Sequence, residues 1–195
     1  VLSFIAEEIS LRLVANRHIS IGKMKYYTYG IELILNDIMI FLSIAIISIL
    51  SGKIIISIAY ALTYCPIRSY AGGYHCETYK KCYLTTMVLY ISMLFLNQFL
   101  SNYRFIVSLI LIAIAFPVIL ILSPVDYGNG PISNDERRKF RMKIIVLLTI
   151  AVTGFIIAVV LHETEIAFSI SWGIFIVFFL MLLSVLKRKR NEVRK

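Results

Sequence analysis

Long apolar runs separated by short polar breaks dominate the chain. They lie at about 29–50, 54–65, 83–100, 105–123, 143–161 and 166–186, each bounded by charged or turn-forming residues. Crossing a bilayer core takes about 20 apolar residues in a helix, and most of these runs are of that order. The second, "KIIISIAYALTYC", stops at Pro66 and falls short. A run of that length predicts a short or re-entrant segment. Periodicity says little inside the runs, because helices facing lipid are apolar all round. It returns in 2–15, "LSFIAEEISLRLVA", where Leu2, Ile5, Ile9 and Leu13 recur at helical spacing with Glu7, Glu8 and Arg12 elsewhere. That spacing predicts an amphipathic helix, either lying at the membrane interface or packed on the bundle. The expected fold class is an all-α membrane protein: about six transmembrane segments plus the N-terminal amphipathic helix, in a single integral membrane domain over 1–195.

Composition agrees with the pattern. The chain is 59% hydrophobic and only 16% charged, against about 25% charged in soluble domains. No internal repeat or low-complexity tract is visible. Glu7, Glu8, Arg12 and Arg17 break up the early apolar stretch, so no cleavable signal peptide is expected.

A net charge of +9 raises nucleic acid as a partner, and the distribution of the charge argues against it. Lys53 and Arg104 fall in two short turns on one side of the expected bundle, beside the acidic "HETE" turn at 162–165. The other basic residues fall on the opposite side: in the N-terminal segment, in 66–82, in the 124–142 loop with Lys143, and in the basic tail at 187–195. The positive-inside rule then places both termini in the cytoplasm. So basic a face would attract anionic lipid or an acidic peptide.

Two groups of polar residues remain. Glu32, Asn36 and Asp37 sit inside the first long run. Intramembrane carboxylates face protein or water, so they suit a contact between helices or subunits, or the working charges of a small transporter or channel. The second group is "RSYAGGYHCETYKKC", residues 68–82. Arg68, Lys80 and Lys81 surround Cys82 in sequence, and cationic neighbours favour thiolate over thiol. His75, seven positions earlier, is an imidazole able to take the thiol proton and return it to a leaving group. Gly72 and Gly73 permit a tight turn with backbone N–H groups open to an oxyanion. On one straight helix His75 and Cys82 would stand about 10.5 Å apart along the axis. The chain therefore bends between them, or the pair forms across a dimer. Metal binding by Cys65, His75, Cys76 and Cys82 is a competing reading, but an adjacent His–Cys followed by a five-residue gap is not a common zinc spacing. No metal or cofactor is expected.

Arg68, the "AGGYH" of 71–75 and Cys82 seven residues after His75 together resemble the signature of the AgrB (accessory gene regulator protein B) family. The resemblance covers essentially the whole chain, including the six apolar segments, the amphipathic N-terminus and the loop "SPVDYGNGPIS". It implies a multi-pass protein of the bacterial cell membrane, a cysteine endopeptidase that processes precursors of cyclic autoinducing peptides for quorum sensing. It assigns His75 and Cys82 as the catalytic pair. The chemistry implied is an acyl-enzyme thioester on Cys82, resolved by a thiol or hydroxyl of the peptide to give a thiolactone or lactone. The substrate implied is a short AgrD-like propeptide with an amphipathic N-terminus and an acidic tail. A homodimer is implied as well. Glu77 and Asp126 are the charged candidates to orient His75, and a backbone carbonyl would serve equally.

Overall fold

The computed structural model describes residues 2–72, 78–125 and 133–193. Among the described residues seven α-helices follow one another: α1 Leu2–Ala15, α2 Met24–Leu50, α3 Ile54–Ala71, α4 Tyr79–Phe99, α5 Arg104–Leu122, α6 Asn134–Val160 and α7 Thr164–Val193. A single 3-10 turn, Ile21–Lys23, leads into α2. No strand occurs among the described residues. The six helices after α1 are each long and apolar enough to cross a membrane. The all-α architecture expected from the apolar runs is the one observed.

Helix α7 is the axis of the bundle. It is the most buried of the six and packs on α5, α3, α6 and α4. Phe168, Ile174, Val177 and Met181 from α7 are fully or almost fully buried, as are Tyr60 and Ile67 of α3, Tyr90 and Met93 of α4, and Ile144 and Leu148 of α6. Small residues on α7 let its neighbours approach, the usual device where lipid removes the hydrophobic driving force. A Cβ on Gly173 would sit 3.3 Å from Thr63 side-chain atoms and 3.4 Å from the backbone nitrogen of Tyr64. Outward-facing side chains such as Leu42, Ile46, Phe95 and Ile110 stay exposed, as a lipid-facing surface requires.

Two local features add to the sequence expectations. The apolar run after Lys53 does not end at Pro66: α3 continues through it to Ala71. Proline removes one ladder hydrogen bond, which neighbouring hydroxyls and packing can offset inside a membrane bundle. Here the residue after the proline, Ile67, is buried and packs into the core. The stretch is thus a continuous helix just long and apolar enough to cross a membrane. In α1 the buried face is Ala6 and Ser10, while Phe4, Ile5, Ile9 and Leu11 remain exposed. The helix packs on α2 through its small residues and turns its large ones outward.

The turns sort to two ends. At one end Glu165, at the start of α7, receives Lys53 Nζ (2.8 Å) and Arg104 Nη2 (3.1 Å). Asn97 Nδ2 donates to the Glu165 carbonyl at 3.0 Å, and Arg104 Nε donates to the Asn97 carbonyl at 2.7 Å. This polar knot joins α3, α4, α5 and α7. At the other end lie Gly72, the start of α4 and the segment after α5.

Candidate active site

The site is built from two helix ends. The last turn of α3 leaves carbonyls without intrahelical partners. The guanidinium of Arg68 donates to the carbonyl of Gly72, four residues on, placing a cation where the helix dipole is negative. Gly72 then leaves the helix with φ +74°, and a Cβ there would run into the carbonyl oxygen of Val125. Both conditions call for glycine. The contact is reinforced by the Val125 N–H, which donates to the Ala71 carbonyl at 3.0 Å. Ser123, Pro124 and Val125 are buried against this corner, and the Ser123–Pro124 bond is cis. The exit of α3 is therefore fastened to the segment following α5.

The second end is the start of α4. Thr78 is its N-cap, in extended conformation, and its hydroxyl oxygen accepts the Lys81 N–H at 3.3 Å. The Cys82 N–H donates to the Thr78 carbonyl at 3.1 Å, closing the first turn. Cys82 thus stands on the first turn of a capped helix, half-buried, behind the exposed Lys80 and Lys81. A helix N-terminus with cationic neighbours is the environment that favours thiolate.

Beneath Cys82 the bundle supplies hydroxyls. Thr86 Oγ1 donates to the Cys82 carbonyl at 3.0 Å. The buried Tyr64 lies beside Thr86, within electrostatic reach of Cys82, Cys65 and Arg68. From α2, Glu32 interacts with the Tyr79 hydroxyl, and Asp37 lies within reach of Cys65. Ser43 Oγ and Tyr83 Oη are 2.8 Å apart. Asn36 is buried, whereas Asp37 is exposed on the helix surface.

A third element comes alongside. Helix α6 starts at Asn134, so the basic run "ERRKFRMK" forms its first turns. Phe140 meets the ring of Tyr70 at 5.9 Å, and Lys143 Nζ stands 4.7 Å from the centre of the same ring, a cation–π geometry. Arg137, Arg138, Lys139 and Arg141 are exposed on this overhang.

Of the residues singled out in the sequence, Arg68, Gly72, Lys80, Lys81 and Cys82 gather at one end of the bundle, with Glu32 and Asp37 against the same end. Gly73, His75, Glu77 and Asp126, together with Cys76, lie outside the described residues. Val125, Thr78, Tyr64, Thr86 and Tyr70 were not singled out. Only Thr78 carried a local signal, a threonine directly before a helical run.

The comparisons with known proteins point one way. The family described as "Accessory gene regulator B" matches residues 6–182. A protein of Clostridium perfringens (strain SM101) named "Putative AgrB-like protein" is 23% identical over 154 residues, 75% of this chain and 69% of its own length. One of Listeria monocytogenes serotype 4a, with the same name, is 24% identical over 139 residues, 70% of this chain and 67% of its own. No solved structure matches significantly. With six spanning helices and a family match over nearly its full length, the chain is a multi-pass membrane protein that belongs to the accessory gene regulator B family.

Proposed function

We propose that the protein is a membrane cysteine endopeptidase that processes a short autoinducer propeptide for quorum sensing, with both termini cytoplasmic in a bacterial plasma membrane. The observation that carries this reading is the placement of Cys82 on the capped first turn of α4, behind Lys80 and Lys81. In the proposed reaction the Cys82 thiolate adds to a peptide carbonyl, and His75 has taken the thiol proton. The C–N bond breaks, His75 protonates the departing amine, and an acyl-enzyme thioester remains. A thiol within the peptide, giving its proton to the now neutral His75, then attacks that thioester, forms a thiolactone and releases the Cys82 thiolate. Exchanging one thioester for another needs proximity more than driving force. A site at the membrane surface limits competing water.

The basic overhang of α6, fixed on Tyr70 close to Gly72, suits an acidic tail on the propeptide, and the enzyme acts as a homodimer in this reading. Transport through Glu32 and Asp37 is less well supported. Glu32 interacts with the Tyr79 hydroxyl and Asp37 lies within electrostatic reach of Cys65, so both belong to the Cys82 end instead of marking a path through the bundle. The test is reconstitution in liposomes with a synthetic AgrD-like propeptide, read by mass spectrometry. Cleaved and cyclised product is expected from the native chain, and none from Cys82→Ser or His75→Ala. Product from Cys82→Ser would sink the proposal.

A further inference from the structure

The strongest feature that the proposed chemistry leaves unused is a buried column of tyrosines beneath Cys82. Tyr60, Tyr64 and Arg68 fall at four-residue spacing, on one face of α3. Tyr60 and Tyr64 stack nearly parallel, with ring centroids 5.4 Å apart and planes 5° from one another. Tyr60 is further wedged against Tyr90 at 5.8 Å, whose hydroxyl sits 2.7 Å from Ser57 Oγ. From behind, α7 approaches so closely at Gly173 that a Cβ there would sit 3.3 Å from Thr63 side-chain atoms and 3.4 Å from the Tyr64 backbone nitrogen. The Tyr64 ring is thus stacked on Tyr60, on a helix that α7 approaches closely. Its polar end lies beside Thr86 and within reach of Cys82 and Arg68.

A buried phenol is expensive unless its hydroxyl has polar company. That company is Thr86, whose own hydroxyl donates to the carbonyl of Cys82. We propose that Tyr64 is a positioning residue for Cys82: through Thr86 it fixes the first turn of α4, and so the direction in which the thiol is presented. The inference rests on the reading of Cys82 as nucleophile. A nucleophile displaced by about 1 Å loses roughly a hundredfold in rate, which gives the hydroxyl pair leverage on the reaction without touching the peptide.

The experiment compares Tyr64→Phe, Thr86→Val and Thr86→Ser with the native chain in liposomes. Three quantities are read: single-turnover propeptide cleavage, KM, and the alkylation rate of Cys82 at fixed pH. Tyr64→Phe keeps the ring stack and removes only the hydroxyl. The expected result is a fall of about ten- to a hundredfold in cleavage rate, slower Cys82 alkylation and an unchanged KM. Thr86→Val should repeat that pattern and Thr86→Ser should restore native rates. Native cleavage and alkylation in Tyr64→Phe would overturn the inference, as would a loss confined to KM or a Thr86→Ser as slow as Thr86→Val. Should Tyr64→Phe fail to fold, the Thr86 pair decides alone. Failure of the underlying reading looks different: Cys82→Ser would still cleave, whatever Tyr64 does.

Discussion

The Cα hydrogen of Gly72 points at the carbonyl of Val125, and a methyl group in its place would collide with that oxygen. Two segments more than fifty residues apart in sequence are pressed together at the corner where α3 ends. Gly72→Ala meets two penalties at once, a positive φ and a backbone clash, and residues forced into sparsely populated conformations lose about 1–3 kcal/mol. We expect Gly72→Ala to lower the melting temperature in detergent and to abolish propeptide cleavage. A variant with native stability would show that the corner can open at no expense.

Thr78 gives a gentler handle on the other helix end. Losing a threonine N-cap costs about 1 kcal/mol, so Thr78→Ala should fray the first turn of α4 without unfolding the bundle. Hydrogen exchange should quicken at Lys81 and Cys82, and Cys82 alkylation should change with it. Thr78→Ser should leave both as in the native chain, because serine supplies the same acceptor.

The far end of the bundle makes a prediction about stability alone. Glu165 holds Lys53 and Arg104, and Arg104 is the more buried of the two cations. Glu165→Gln leaves that guanidinium without its carboxylate, and stranding a partly buried charge costs roughly 1–3 kcal/mol. Thermal melts should report the loss, while the alkylation rate of Cys82, at the opposite end, stays native. A change in Cys82 reactivity would mean that the two ends are coupled.

Charge reversal on the α6 overhang tests where an acidic tail lands. Arg138 and Arg141 are exposed, and exposed charges act mainly through screened, long-range attraction. Arg138→Glu with Arg141→Glu should raise KM for a propeptide with an acidic tail, with kcat little changed. Raising the salt should shrink the difference between variant and native chain. An unaltered KM at low salt would remove this surface from substrate recognition.

Much of this architecture was legible in the sequence because bilayer thickness sets the length of an apolar run. The gathering of Arg68, Gly72, Lys80, Lys81 and Cys82 could be anticipated from their nearness in the chain. The meeting of Gly72 with Val125 could not, since only tertiary packing joins them. Pro66 misled for a physical reason: it removes a single N–H, and within a packed bundle that loss does not stop a helix. The placement of α1 was left open between the interface and the bundle, because beside lipid large apolar residues need not turn inward: Ala6 and Ser10 are buried while Ile5 and Ile9 face out. Which acid of the "HETE" turn would serve Lys53 and Arg104 was likewise undecided until α7 was in place.

That last pairing bears on how the chain is made. Lys53 and Arg104 emerge from the ribosome long before Glu165, in the first turn of α7. Until α7 arrives, both cations stand at the far ends of their spans without the carboxylate that later joins them, and α7 also supplies the central packing surface. Nascent chains stopped short of Thr164 would therefore be incomplete in charge and in core together. Quality-control proteases that recognise unassembled membrane segments would have a long window in which to act, closed only once α7 has been translated.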